Sequence, residues 1–385
     1  MAASAEAGLF ELDGEHEAFR DTCRAFVDRL VMPERQGAES NGFPPALWRK
    51  LAAAGLLGIG HPEEDGGTGG DYLAMAILAE ELAKVSGGIA VTILVSSYMA
   101  APHLARFGSP TLREHYLRPV LRGESVAAIA VTEPSAGSDV AGLITTGTEV
   151  DGGYLLNGRK IFITNAGLAD VVLVAARTGQ LGSGGITMFC VECSAPGLEM
   201  SLPLAKLGWH ASDTRELSFQ DCFVPTDRVV GTLDAGFRQI MMAFQGERVA
   251  LSGMGVGLAQ AALDEARTWA RDRQAFGASI GSFQAIAHRL GEMETAVAAA
   301  RLMTYQAASR LDRDHPDAAK AVAMAKLYSA RVANDVADDA VQIFGGYGFM
   351  DDSPVALHYR DARILRIGGG TDEIQLQILA KTMGL

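Results

Sequence analysis

The sequence predicts an α+β protein with an N-terminal α-helical domain, a central β domain and a C-terminal four-helix bundle. Apolar residues recur at helical spacing at both ends of the chain, which indicates amphipathic helices there. Between them, short apolar or alternating runs are separated by Gly, Pro, Asn and Asp, a texture typical of strands. With 385 residues the chain can form two or three packed units. We place the domains at residues 1–125, 126–233 and 234–385.

The N-terminal region shows helical spacing most clearly in residues 47–60 and 72–85, with a Gly-rich loop at 61–71 between them. Its most apolar stretch, near residues 89–102, is shorter than the roughly 20 residues of a transmembrane helix. Acidic residues and no Arg or Lys precede Arg20, which fits neither a secretory nor a mitochondrial leader. We therefore predict a cytoplasmic protein without a membrane span.

The central region consists of strand-like runs, and residues 179–185 read as an exposed hairpin or loop. Cys190 and Cys193 stand three positions apart in one such run, so they point to opposite faces of the sheet. That spacing favours buried or half-buried thiols over a redox or zinc pair, and the sequence predicts no metal site.

The C-terminal region contains long runs without interior proline at 236–276, 282–311 and 317–345, and a last helix begins near Asp372. Such runs joined by short links predict the four-helix bundle. The segment GMGVG (253–257) lies inside a helical run, so close helix packing explains it better than a dinucleotide-binding loop. The formal net charge of −13 argues against nucleic acid or an anionic membrane as the main partner.

Polar residues follow two of the predicted strands. The segment VTEPSAGSD (131–139) offers backbone N–H groups and hydroxyls for a carbonyl-rich ring or a phosphate, and KIFITNAG (160–167) should expose Thr164 and Asn165. Near the C-terminus, three glycines precede Thr371 or Asp372 as an N-cap, which makes an anion site possible. Residues 271–277 read as a charged helix end stopped by a glycine. Each segment alone is equally typical of a turn or a cap.

The order and spacing of the motifs are more specific than any one of them. VTEPSAGSD, F-I-T-N, K-L-G-W-x-x-S-D-T (206–214), R-Q-A-F-G, Q-I-F-G-G-Y-G and G-G-T-D-E-I-Q together resemble the acyl-CoA dehydrogenase family over nearly the whole chain. The resemblance implies the same three domains, a homotetramer and one FAD per subunit. It also implies an acyl-CoA substrate and an electron-transfer flavoprotein as the electron acceptor.

The resemblance also implies which residues bind the flavin. One group would line the isoalloxazine, with Phe162 in place of the Trp common at its position and Thr164 near N5: Val131, Thr132, Ser138, Phe162, Ile163 and Thr164. A second group would hold the FAD of the partner subunit: Arg273, Phe276, Gln284, Gln342, Gly345 and Gly346. Thr371 and Glu373 would anchor the adenylate half in their own subunit.

The catalytic base departs from the commonest family pattern. Many members carry it in the last motif, as Tyr-Glu-Gly-Thr, where this sequence has Gly368, Gly369, Gly370 and Thr371. A subset that includes isovaleryl- and long-chain acyl-CoA dehydrogenases places it on the long helix, immediately before the family's Arg. Glu247 precedes Arg248 at that position, so the resemblance implies Glu247 as the base. Burial beside an acyl chain should raise its pKa.

The substrate contacts implied by the same resemblance are Ser138, Arg248, Gly368 and Gly370. The Gly369 N–H, with a ribityl hydroxyl of the flavin, would polarise the thioester carbonyl. A small residue at 368, as in isovaleryl-type enzymes, leads us to expect a branched or bulky acyl group.

Alternatives stay open at this point. The carrier is CoA or an acyl carrier protein. The fold also hosts flavin monooxygenases and nitroalkane-type oxidases. The missing glutamate in the last motif leaves a non-catalytic FAD protein as a further alternative.

Overall fold

The protein, a computed structural model that describes residues 12–385, has the predicted order of a helical, a sheet and a second helical region. The leader prediction rests largely on residues 1–11, which lie outside the described residues. The helices of the N-terminal region are α1 Gly14–Leu30, α2 Arg35–Asn41, α3 Pro45–Ala53, α4 Tyr72–Val85, α5 Gly87–Leu94, α6 Ala101–Phe107, α7 Pro110–Leu112 and α8 Arg118–Leu121.

Two sequence predictions in this region need correction. The helix expected over 47–60 is shorter, because α3 ends at Ala53 and Gly55 takes a φ of 74°. The apolar segment that contains 89–102 is longer than expected, because α5, a π-helical turn and α6 form one helix, Gly87–Phe107. By length and composition this helix meets the criterion for a membrane span. However, 89% of its most apolar stretch is buried inside the protein, as in the core helices of soluble proteins.

The central region is one twisted sheet with strand order β6-β7-β3-β2-β4-β5-β8, and β1 pairs in parallel with β4. Residues between β4 and β5 form the predicted hairpin connection. Cys190 packs in the core on one face of the sheet and Cys193 against the core on the other, which confirms their opposite orientation. The strands are β1 Ala127–Ala130, β2 Thr146–Val150, β3 Gly153–Thr164, β4 Val171–Arg177, β5 Ile186–Glu192, β6 Leu198–Met200, β7 Thr214–Pro225 and β8 Val229–Val230.

The C-terminal region contains three long helices and two shorter ones. The first of them was expected to run to residue 276 but ends at Asp272, because residues 274–279 form a small hairpin with Phe276 and Gly277 in left-handed conformations at its tip. The elements are α9 Gly236–Asp272, β9 Gln274–Ala275, β10 Ala278–Ser279, α10 Gln284–Asp312, α11 Ala318–Phe344, α12 Pro354–Ala362 and α13 Asp372–Thr382.

The glycines of GMGVG allow α9 to pack closely against α4 and α11. A Cβ on Gly257 would lie 2.2 Å from Glu80 O on α4, and one on Gly255 would lie 3.0 Å from Ser329 O on α11. The close-packing interpretation is therefore confirmed. It matters for the site, because α9 is held between α4 of the N-terminal region and α11 of the C-terminal region.

Candidate active site

The two polar strand ends of the central sheet lie side by side. The Ile161 N–H donates to Thr132 O at 3.0 Å, and the Lys160 ammonium donates to Val131 O at 3.0 Å. The same ammonium donates to Glu133 Oε1 at 2.8 Å, and both side chains of this ion pair are fully buried. The motifs VTEPSAGSD and KIFITNAG thus form one surface, fixed from beneath by a buried ion pair.

The Glu133 carboxylate is fully engaged. Besides Lys160, it accepts hydrogen bonds from Ile144 N at 2.7 Å and Thr145 N at 2.9 Å. Burial alone would raise the pKa of Glu133, but the charge of Lys160 and these hydrogen bonds leave that pKa lowered. Sequence reasoning missed this pair, because its members stand 27 residues apart and no periodicity links them.

The second motif has an irregular backbone. A register shift between Lys160 and Ile163 marks a β-bulge, in which Phe162 has a φ of 61° and a 65% exposed side chain. Thr164 is half-buried. Ile163, expected to cover the flavin, has its side chain in the sheet core, so only its backbone can face a ligand there.

Asn165 was predicted to be exposed, and this is wrong. It is fully buried with a φ of 69°, a left-handed conformation that Asn tolerates. Its Nδ2 donates to Thr92 O at 2.8 Å, and its backbone N–H donates to Asp213 O at 3.0 Å. The residue therefore joins the sheet to helix α5 instead of facing solvent.

Glu247 lies on α9, half-buried and surrounded by protein. Burial raises the pKa of its carboxyl to about 7, against the opposing charges of Arg248 and Lys326. None of the hydrogen bonds of residues 12–385 reaches this carboxylate, in contrast to Glu133. It is a carboxylate with neighbouring cations but without a direct donor.

The glycine turn at 368–370 lies against Glu247. A Cβ on Gly369 would lie 3.4 Å from Glu247 Oε1 and 2.4 Å from Leu251 Cδ1. Gly369 and Gly370 have φ values of 63° and 94°, so both positions favour glycine. Gly368 has no such constraint, and its nearest possible contact is Ile364 O at 3.7 Å. Only Gly368 could accept a side chain without strain.

The carbonyl oxygens of this turn are held from the protein interior. Arg248, buried and predicted to contact substrate, donates from Nε to Gly369 O at 3.1 Å. Gln375 donates to Gly369 O at 3.3 Å and to Gly370 O at 3.1 Å, and the Lys326 ammonium also donates to Gly370 O. Neither Gln375 nor Lys326 was identified from the sequence. The sequence did offer one signal for Lys326: it stands at helical spacing among apolar residues, which indicates a buried lysine.

Helix α13 begins directly after the turn. Thr371 is its N-cap, with Oγ1 accepting from Ile374 N at 3.3 Å. Asp372 is buried and accepts from Arg331 and Arg366, while Glu373 is exposed. Asp372 Oδ1 and Gln375 Oε1 are buried without a hydrogen-bond partner in residues 12–385. Both are acceptors that hydroxyl groups of a bound molecule could use.

The sheet motif VTEPSAGSD and helix α9 meet in one hydrophobic cluster. Val131 packs against the same core as Met241 and Phe244, which lie within two turns before Glu247 on α9. Thr132 is half-buried beside this cluster, and Ser138 is exposed on the turn that follows. The structure therefore brings together the sheet motif and the region of α9 that carries Glu247.

The residues expected to hold the partner's FAD lie elsewhere. Arg273 follows the C-terminus of α9, about 39 Å along the helix from Glu247 at 1.5 Å per residue. It borders an open groove of about 520 Å³ with Gly345 and Gly346, where Trp269 stacks on Phe344. Cβ atoms at both glycines would meet open space. Gln284, Gln342 and the 97% exposed Phe276 are also at the surface.

Comparison with known proteins agrees with this architecture. Three family models match the chain: the acyl-CoA dehydrogenase N-terminal domain over residues 13–124, the middle domain over 128–222 and the C-terminal domain over 234–384. The chain is an oxidoreductase that acts on CH–CH groups with FAD as its cofactor. It belongs to the acyl-CoA dehydrogenase family.

Individual relatives cover almost the entire chain. The mitochondrial isovaleryl-CoA dehydrogenase of Oryza sativa subsp. japonica is 36% identical over 100% of this chain and 94% of its own length. The subunit CarC of the caffeyl-CoA reductase–Etf complex of Acetobacterium woodii is 36% identical over 95% of this chain and 97% of its own. A solved FAD complex of PigA superimposes with a TM-score of 0.94 at 32% identity, covering 98% and 99% of the two chains.

The residues present fit FAD. The exposed Phe162 offers an aromatic face, and the half-buried hydroxyls of Thr132 and Thr164 lie at the two adjoining strand ends. The unpartnered acceptors Asp372 Oδ1 and Gln375 Oε1 suit hydroxyl groups of such a ligand. Within residues 12–385, no group of three His, Cys, Asp or Glu could hold a metal ion.

Proposed function

We propose that this enzyme forms an α,β double bond in an acyl-CoA thioester, with Glu247 as the base that removes the α-proton. The approach of Glu247 Oε1 to within 3.4 Å of the Cβ position on Gly369 carries this proposal. A thioester carbonyl that accepts a hydrogen bond from the Gly369 N–H would have its α-carbon close to that carboxylate. A base at position 369, where many relatives carry it, and a base at Glu247 would therefore approach the same part of the bound thioester.

In the proposed reaction, the Glu247 carboxylate takes the α-proton, and the electron pair of that C–H bond forms the double bond as a hydride leaves the β-carbon. FAD, when bound, accepts the hydride. A base is most effective with a pKa near the working pH, and burial raises the pKa of Glu247 to about 7. Flavin reduction should therefore rise with pH through that value, because only the ionised carboxylate accepts a proton.

The Gly369 N–H is the proposed donor to the thioester carbonyl. It donates to no group in residues 12–385, so it is free for a ligand. Negative charge grows on the carbonyl oxygen as the α-proton leaves, and a fixed N–H stabilises that charge. A preorganised donor of this kind typically contributes about 10² to 10³-fold in rate.

A branched or bulky acyl group is the proposed substrate class. Gly368 has an unstrained backbone and no atom closer than 3.7 Å to its Cβ position, so the glycine leaves space that a larger side chain would fill. We expect acyl groups branched near the reacting carbons to be preferred over butyryl.

We further propose that the enzyme is a homotetramer in which the groove at Arg273 and Gly345 binds the FAD of a neighbouring subunit, since this groove is far from Glu247 in the same chain. The caffeyl-CoA reductase relative forms a complex with an Etf, which supports an electron-transfer flavoprotein as the acceptor here. An acyl carrier protein thioester remains the alternative substrate, because the same pantetheine arm would enter the site.

The test is anaerobic bleaching of the flavin absorbance by a panel of isobutyryl-, isovaleryl-, 2-methylbutyryl-, butyryl- and palmitoyl-CoA, with the corresponding carrier-protein thioesters in parallel. Bleaching by a branched acyl-CoA is the expected result. Bleaching only by carrier-protein thioesters would show that the substrate is bound to an acyl carrier protein and not to CoA. Bleaching by dithionite but by no thioester, together with rapid reoxidation by oxygen, would favour a monooxygenase or oxidase.

A further inference from the structure

Lys326 is a buried lysine that no motif accounts for. It lies on α11 with 1% of its side chain exposed, and it shares a helix face with Val322 and Ala330, which are both buried. Lysine is almost never fully buried unless it is paired. Its ammonium donates to Gly370 O, in the turn that lies against Glu247.

A turn of three glycines has no side chains of its own to hold it. Glycine loses more conformational freedom on folding than any other residue, so the positions of the backbone groups here depend on external contacts. The Gly368 N–H donates to Ile364 O at 2.8 Å, and the side-chain contacts are the hydrogen bonds from three donors, Arg248, Gln375 and Lys326, to the carbonyls of Gly369 and Gly370. Two of the three donors are cations, and charge-assisted hydrogen bonds are the stronger ones.

Because each peptide unit is planar, the anchored Gly369 O and Gly370 O fix the two peptide units that directly follow the Gly369 N–H. The Gly369 N–H is joined to the first anchored carbonyl through a single residue with a φ of 63°. Loss of Lys326 would leave Gly370 O with the neutral Gln375 amide as its donor, and this weaker hold would let the Gly369 N–H move relative to Glu247. A misplacement of about 1 Å in a reacting geometry can cost about 10²-fold in rate.

Lys326 also acts on Glu247 through its charge. The charged groups that face it are Asp372 and Glu373 at the start of α13 and Arg248 and Glu247 on α9. The pKa of Lys326 is lowered by burial to about 8, so the ammonium form predominates below that value. Its positive charge opposes the rise in the pKa of Glu247 that burial causes.

We propose that Lys326 is a positioning residue for the dehydrogenation: its ammonium fixes the Gly369–Gly370 turn, and with it the Gly369 N–H, relative to the Glu247 carboxylate. The inference rests on the proposed function. It assigns to one buried cation both the placement of the carbonyl-binding N–H and part of the ionisation of the base.

The first test compares Lys326→Met, which keeps the length and loses the charge, with Lys320→Met on the exposed face of the same helix. The FAD-loaded enzyme is mixed anaerobically with the thioester that the panel selects, and the rate of flavin bleaching is measured across pH. We expect Lys326→Met to be slower by about 10²-fold. The fall in rate at low pH (the acid limb of the pH profile) should move to higher pH in this variant, because the Glu247 carboxylate loses the stabilising charge of Lys326. Lys320→Met should match wild type.

The second test needs no turnover. Pivaloyl-CoA has no α-hydrogen and cannot be dehydrogenated, so its isotope-labelled carbonyl reports the hydrogen bond at equilibrium. Infrared difference spectra of the bound thioester should show a lowered carbonyl stretch in wild type and Lys320→Met. In Lys326→Met the stretch should return toward its value in water. Lys326→Arg, which keeps a cation and a donor, should recover part of the shift.

The outcomes separate the two proposals. If wild type reacts and depends on Glu247, but Lys326→Met equals Lys320→Met in rate, pH limb and carbonyl stretch, the role of Lys326 is overturned and the function stands. If no thioester bleaches the wild type, both proposals fall. Should Lys326→Met not fold, Lys326→Gln replaces it, and a wild-type carbonyl stretch together with a wild-type pH limb would overturn the inference.

Discussion

Two carboxylates of this protein, the buried Glu133 and the half-buried Glu247, each lie near a buried lysine, and they differ in where that lysine directs its hydrogen bonds. Lys160 donates to Glu133 itself, and two backbone N–H groups complete the shell of that carboxylate. Lys326 donates to Gly370 O instead, so the Glu247 carboxylate has positive charges nearby but accepts no hydrogen bond from residues 12–385. The pKa is lowered for Glu133 and raised to about 7 for Glu247.

The difference separates a structural carboxylate from a reactive one. A buried acid whose lone pairs are all satisfied stabilises the fold and has no reason to accept a proton. A buried acid without donors is a stronger base and costs stability. Glu247 is of the second kind, because the cations beside it donate their hydrogen bonds to the carbonyls of the glycine turn and not to its carboxylate.

The largest effect is expected at Glu247. Glu247→Gln removes the base while keeping shape, so flavin reduction by the selected acyl-CoA should fall by about 10² to 10⁴-fold. FAD content should stay at the wild-type level. Stopped-flow bleaching of the variant is compared with that of Glu265→Gln, a half-buried glutamate on the same helix. Retention of more than a tenth of the wild-type rate would show that another group takes the proton.

The next effect concerns stability and should be confined to the other carboxylate. Glu133→Gln leaves the Lys160 ammonium buried without its counter-charge, and loss of one member of a buried ion pair typically costs about 3–5 kcal/mol. Denaturant unfolding measures this against Glu149→Gln, an exposed glutamate on β2. Glu247→Gln should be neutral or stabilising in the same assay. A loss of less than about 1 kcal/mol in the free energy of unfolding for Glu133→Gln would contradict the structural role of Glu133.

The sequence predicted the three regions because periodicity depends on burial, and burial repeats along each helix and strand. Glu247 as the base follows from the resemblance carried by the motifs and not from periodicity, and it stays a prediction. Sequence reasoning missed the Glu133–Lys160 pair and the contact of Lys326 with Gly370, since each joins residues far apart in the chain. Asn165 was misjudged for the same reason, because its partner Thr92 belongs to another domain.

The two carboxylates should also give opposite dependences of stability on pH. The pKa of Glu247 is raised from 4.5 to about 7 on folding, so its contribution is full below about 4.5 and is lost as pH rises to about 7. By linkage this change is of order 1–3 kcal/mol. The pKa of Glu133 is lowered, so its contribution is present above its unfolded value and is lost as pH falls.

The measurement is the free energy of unfolding against pH for wild type, Glu247→Gln and Glu133→Gln. The difference between wild type and Glu247→Gln should decrease with rising pH across that window, and the difference for Glu133→Gln should increase with pH over the acidic range. Parallel curves for the two variants would contradict the assignment of opposite pKa shifts.

The smallest effect on stability, and the finest test of the contrast, is Gly368→Ala. The added methyl group meets open space on an unstrained backbone, so stability should change by less than about 0.5 kcal/mol, as in the control Gly184→Ala. Rates with branched acyl groups should fall by about tenfold relative to butyryl, the effect of roughly one methyl group in a pocket. The acid limb of the rate should stay in place, because no charge near Glu247 changes. A moved limb would mean that packing, and not the direction of the Lys326 hydrogen bond, determines how Glu247 differs from Glu133.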